Sequence, residues 1–285
     1  MNAIEKNTTE LKISDLLSGD LQLASPPTVY FELKKITDDP SKSLVEAGRI
    51  IEKDPGLTAR LLKIVNSAFF GFPAKISTIS HAITLIGVRE LENLVLATLV
   101  IDKFSSMPSG LISMRDYWAT SLRCALNAKE LSNHLSEFEA SDTIFVCGLL
   151  HDIGRLIFYR RIPALAREIG LQKAGSDKEE AHIEKNLLGF DHFETGAELA
   201  VLWNLPAMIE TTIRNHTEPD LAGQFSHEAN LVRLAYRLSE EAIFDPENFI
   251  MEDKFTLFSL ADLETVTQKA NSEFDEIFSF FYPGS

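Results

Sequence analysis

The chain has 285 residues, 45% of them hydrophobic and 24% charged, with a formal net charge of −15. That balance is ordinary for a globular protein, and the length suits one large domain or two modest ones. So acidic a surface repels phosphate backbones, which argues against general nucleic-acid binding and leaves solubility, or a basic protein partner, as what the charge serves.

Met1 to Glu10 is polar and lacks an apolar signal core. The longest apolar stretch, Leu94 to Ile101, falls far short of the roughly 20 residues of a membrane span. A cytoplasmic protein without membrane association is expected. Ser43 and Glu46 are spaced as a capping box for a helix over Ser43–Ile51. Asp54-Pro55 opens the next helix, with Asp as N-cap and Pro at the first position. Asn66 to Gly71 closes it with turn residues. Phe69 and Phe70 there are expected to pack in the core, with an exposed aromatic contact as the alternative. Ile79–Ile86 and Val88–Ile101 read as two helices separated by Gly87.

Met107-Pro108-Ser109-Gly110 marks a boundary. Helices follow near Ile112–His134, Asp142–His151, Glu179–Leu188, His192–Leu202, Pro206–His216 and His227–Glu240. Asp245-Pro246 breaks the chain again. Phe274, Ile277, Phe278 and Phe281 form an i, i+3, i+4, i+7 stripe that should dock on the body. Cys124 and Cys147 both lie in apolar helical patterns and are expected as buried, reduced thiols. Strand alternation and internal repeats are both missing, so the fold class is all-α.

The chemistry-bearing segment is Gly148 to Leu156, where His151 and Asp152 end an apolar run. Successive residues on a helix point about 100° apart, so this doublet can serve one metal only where the helix ends. Gly154 is read as supplying that ending. An imidazole and a carboxylate suit a divalent metal, but two ligands do not hold one. The competing reading makes Asp152 a helix N-cap and His151 a core histidine. Arg155, Arg160 and Arg161 form a basic group that either meets phosphate or, more in keeping with the acidic chain, pairs with carboxylates.

These segments resemble the HDOD family, the HD-related output domains of bacterial signalling proteins. The first half matches through Asp54-Pro55-Gly56-Leu57-Thr58-Ala59-Arg60-Leu61-Leu62-Lys63, Asn66 to Gly71, Ile79 to Ile83 and Leu85-Ile86-Gly87. The second half matches through Tyr117 to Ser121, Gly148 to Leu156, His192 to Ala197 and Trp203-Asn204-Leu205-Pro206. The resemblance runs from about Leu21 to Glu240. It implies an HD-domain, phosphodiesterase-like helical bundle with an N-terminal helical subdomain. Together with the turn residues it divides the chain into an N-terminal segment (1–20), an N-terminal helical half (21–107), an HD-like half (108–244) and a C-terminal helical extension packed on the body (245–285).

HD hydrolases use a first His, the His-Asp doublet and a distal Asp, with further histidines in some subgroups. By the resemblance, the first position here holds Thr120 and the distal Asp position Tyr236, while the Lys after the doublet is replaced by Arg155. A threonine hydroxyl is a weak neutral ligand, and a phenol with a pKa near 10 brings no anion at neutral pH. His151, Asp152, His192 and His216 remain as residues available to a divalent ion (Fe, Mn, Zn or Mg). The two replacements favour a hydrogen-bonded remnant without cofactor. The expected pocket is Thr120, His151, Asp152, Arg155, His192, His216 and Tyr236. The resemblance therefore implies a non-catalytic signalling module that binds signalling proteins, or a nucleotide or other small ligand. The alternative is a metal-dependent phosphodiesterase with a reduced ligand set.

Overall fold

Apolar faces at helical spacing, punctuated by caps and turns, give a chain that is helical and free of strands among the described residues. The structure is a computed structural model and describes residues 11–18, 25–105, 112–135, 143–172, 175–240, 244–251 and 257–282. In chain order the helices are α1 (Ile13–Leu17), α2 (Thr28–Thr37), α3 (Leu44–Glu52), α4 (Pro55–Val65) and α5 (Ile79–Ser105). Next come α6 (Met114–His134), α7 (Ile144–Leu150), α8 (Ile153–Arg161), α9 (Pro163–Gln172) and α10 (Asp177–Leu188). The last are α11 (His192–Leu202), α12 (Ala207–Asn215), a 3₁₀ segment (Pro219–Phe225), α13 (Ser226–Ser239) and α14 (Leu260–Phe281). None is long and apolar enough to cross a membrane. The expected boundary at Met107 to Gly110 lies outside the described residues.

Local chemistry explains where the helices start and stop. Ser43 and Glu46 make the capping box of α3. The Asp54 carboxylate accepts from Gly56 N at 2.9 Å and Leu57 N at 3.0 Å, with Pro55 at the first helical position. Gly87 interrupts α5 with φ 82° and ψ 159°, so two helical stretches meet there. Asn66 closes α4 by donating its amide to Ile76 O at 2.7 Å and accepting from Ile76 N at 2.7 Å. Phe69 and Phe70 are half-buried and edge-on to one another at 5.0 Å, with the Lys129 ammonium 4.4 Å from the Phe69 ring centre. They pack on each other at the margin of the core and are not fully buried in it.

The chain forms two units. One is drawn from Met1–Ser25, Met107–Met114 and Leu150–Arg233. In it α11 packs on α8 and α12, α9 joins α8 to α10, and α1 sits on α8 and α11. The Arg161 guanidinium holds α1 by donating to Asp15 O at 3.2 Å and Ser18 O at 3.0 Å. The core includes Leu16, Leu156, Phe158, Phe193, Trp203 and Ile213. The other unit is drawn from Pro26–Ser106, Arg115–Leu149 and Leu234–Ser285. There α2, α3 and α4 pack around α5, and α14 packs on α4 and α5. The stripe Phe274, Ile277, Phe278 and Phe281 is buried, and the Arg123 guanidinium lies 3.7 Å from the Phe274 ring centre. Cys124 and Cys147 are both buried and are not joined in a disulfide.

Gly154 corrects a sequence expectation. The helix before the doublet ends at Leu150, and Gly154 lies inside α8. A β-carbon on it would come 1.8 Å from His192 O and 2.7 Å from Gly196 N. Its role is close helix crossing: α8 and α11 touch backbone to backbone through Gly154 and Gly196.

Candidate functional site

That crossing brings the doublet to His192. His151 and Asp152 occupy the turn between α7 and α8, and His192 is the first residue of α11. Asp152 stands at the N-cap position of α8 but makes no capping hydrogen bond with its side chain. Its carboxylate faces Arg155 instead, Oδ2 lying 3.1 Å from Nε. The Arg155 Nη2 also lies 3.0 Å from Asp177 Oδ1 and 3.3 Å from Glu180 Oε2, both on α10. Arg155 thus pairs with carboxylates rather than offering itself to phosphate. Its own charge is held more firmly than usual: burial opposes it, but the surrounding acids outweigh burial.

His192 is fully buried and fixed from one side by Glu184 of α10. The Glu184 Oε2 accepts from His192 N at 2.8 Å and lies 2.6 Å from Nδ1. A carboxylate only accepts, so Nδ1 carries the proton. The other nitrogen, Nε2, faces Arg155 Nη2 at 3.3 Å and Asp152 Oδ1 at 3.4 Å. Burial pulls the imidazole down, yet Glu184 leads the groups that raise it, and the net direction is up. Burial pushes the Asp152 carboxyl above its usual range, with Arg155 and His192 opposing.

His216 caps the C-terminus of α12 and is also buried. Its Nδ1 lies 3.1 Å from Ile213 O, so Nδ1–H donates, and the buried Nε2 has no hydrogen-bond partner among the described residues. The His151 and His216 rings meet edge to face at 5.3 Å, and Phe193 packs on both His192 (3.9 Å) and His216 (4.8 Å). His151, Asp152, Arg155, His192 and His216 therefore lie together in one unit. Thr120 on α6 and Tyr236 on α13 are half-buried residues of the other unit.

The residues do not fit a bound metal as they stand. Asp152 is engaged by Arg155, and the outward nitrogen of His192 faces a guanidinium. Among the described residues, no three His, Cys, Asp or Glu side chains are grouped to hold an ion. Sequence reasoning missed Asp177, Glu180 and Glu184. Their i, i+3, i+7 spacing puts three acids on one face of α10, and that was the available signal.

Burial, then the neighbouring His151, depresses the His216 pKa to about 3. An unfolded His titrates near 6.5. As pH falls below about 6.5 the unfolded chain takes up a proton that the native state refuses, so stability falls with pH down to about 3. The full loss from this residue is on the order of 5 kcal/mol. Urea unfolding from pH 7 to 4 should show this decline, and a shallower one in His216→Gln.

The HDOD domain model matches residues 23–219. An uncharacterized protein of Treponema pallidum (strain Nichols) is 28% identical over 215 residues, covering 75% of this chain and 41% of that protein. The chain thus spans well under half the length of this curated relative. Among solved structures, a Shewanella amazonensis SB2B protein with a provisional phosphohydrolase name aligns at TM-score 0.73 and 23% identity, over 98% of both chains. An HDOD domain protein of unknown function from Geobacter sulfurreducens aligns at TM-score 0.68 and 20% identity, over 95% of this chain and 96% of that one. A Marinobacter aquaeolei VT8 protein with a provisional signal-transduction name aligns at TM-score 0.69 and 18% identity, over 98% of this chain and 63% of that one. At these identities the likeness is one of fold.

Proposed function

The chain belongs to the HDOD domain family, and we propose that it is a non-catalytic signalling module which relays state by binding other proteins. The observation that carries this reading is the engagement of Asp152 by Arg155 at 3.1 Å, which commits the doublet's carboxylate to an internal ion pair. The resemblance adds Thr120 and Tyr236 where hydrolases keep a His and an Asp. A hydrolytic metal needs an open position and an ordered water, and this ligand set supplies neither the charge nor the geometry for them. The reading includes a cytoplasmic location and signalling proteins as partners, with a nucleotide or other small ligand at the polar cluster as a further input.

A phosphodiesterase assay on bis(p-nitrophenyl) phosphate and on cyclic dinucleotides, with Mn(II) or Fe(II) added, tests this reading. The expected result is no turnover above the metal-only blank. Turnover that disappears in His151→Ala would establish the second reading, a metal-dependent phosphohydrolase with a reduced ligand set. One observation favours that second reading: the buried His216 Nε2, whose lone pair no described residue engages.

A further inference from the structure

Arg155 reaches four ligand-type side chains from three helical segments. Its Nη2 alone has Asp177 Oδ1 at 3.0 Å, Glu180 Oε2 at 3.3 Å and His192 Nε2 at 3.3 Å around it, while Nε meets Asp152 Oδ2 at 3.1 Å. All four partners are buried, the most exposed being Asp152 at 8%. Two carboxylates and an imidazole around Nη2, with a third carboxylate at Nε, enclose the guanidinium; they are spaced around that group and, among the described residues, are not drawn together as metal ligands are. The acids come from the start of α8 and from one face of α10, and the imidazole from the start of α11.

The geometry points to Arg155 as the resident cation of this cluster, a built-in guanidinium that keeps divalent metal out and whose removal would open a metal site made of Asp152, Asp177, Glu180 and His192. This goes beyond the signalling reading, since it concerns what fills the cluster and not what reads it. Arginine is well matched to that position, because its charge is permanent and its broad, planar guanidinium can lie among several carboxylates at once. Without it, three buried acids face one another with a single histidine, and an unpaired buried charge is strongly unfavourable. A divalent ion would restore the balance by drawing these side chains inward, from guanidinium distances to coordination distances near 2.0–2.2 Å. The ligand set differs from the one the family resemblance implies, because Asp177 and Glu180 replace His151 and His216.

The experiment compares the full chain with Arg155→Ala and Arg155→Gln. Each is equilibrated with Mn(II) or Zn(II), desalted, assayed for metal by mass spectrometry and melted in parallel. The wild type is expected to keep below about 0.1 equivalents and to show no change in Tm. The variants should take up about one equivalent and gain about 5 °C or more on metal addition. Adding Asp177→Asn to Arg155→Gln should return uptake to the wild-type level. A variant too unstable to fold alone should fold on metal addition, as read by circular dichroism, and failure to do so counts against the inference. Stoichiometric metal in the wild type overturns it, as does a folded Arg155→Gln that stays metal-free. Metal in the wild type without turnover would end this inference and leave the non-catalytic reading standing.

Discussion

Gly154→Ala should destabilise the protein by about 3 kcal/mol or more, near the top of the range for overpacking a core. The added methyl would meet His192 O at 1.8 Å, Gly196 N at 2.7 Å and His192 C at 2.8 Å. All three are backbone atoms, so no side chain can rotate away. The α8 and α11 helices have to separate, and with them Arg155 and His192, which now face each other at 3.3 Å. Urea unfolding supplies the number. Gly170→Ala on α9 is the control, because nothing lies within 4 Å of its added methyl. It should stabilise by up to about 1 kcal/mol through helix propensity. Equal effects at the two glycines would show that helix crossing is not what Gly154 provides.

Helix boundaries were legible wherever a side chain itself makes the cap. Ser43 with Glu46, Asp54 before Pro55, and the break at Gly87 could all be read because their partners lie within a few residues. The helix expected from Glu179 begins at Asp177, because Ser176 and Glu179 form a capping box that the sequence contains but the apolar pattern overshadowed. Pro163–Gln172 and Thr28–Thr37 were missed, being short helices whose stability comes from the elements they pack on. The doublet and His192 were found by spacing and resemblance. What spacing could not reveal is which side chains meet across helices. Nothing local says that Gly154 touches the His192 carbonyl, or that the acidic face of α10 turns inward to Arg155. An acidic stripe is most often solvated, and here it is buried because it has a guanidinium and an imidazole to neutralise.

The second large effect is expected at Glu184. This carboxylate is 1% exposed and accepts from both the backbone and the ring of His192. Glu184→Ala leaves two buried N–H groups without their acceptor and should cost about 3–5 kcal/mol. Glu184→Gln keeps an oxygen in place and removes only the charge, so it should cost less, and its cost should depend on pH. The folded pKa of His192 lies above the unfolded value near 6.5. Stability from that shift is fully present below about pH 6.5 and is lost as pH rises through the folded pKa. With its Nδ1–H held by Glu184, the second proton on Nε2 faces Asp152 Oδ1 at 3.4 Å, while Arg155 opposes it. The gap between wild type and Glu184→Gln should therefore be widest below pH 6.5 and should narrow at higher pH. Unfolding curves at pH 5.5, 7 and 9, with the His192 ring followed by NMR, measure both quantities. A gap that does not change across this range would mean that Glu184 acts on His192 only as a hydrogen-bond acceptor, with its charge playing no part.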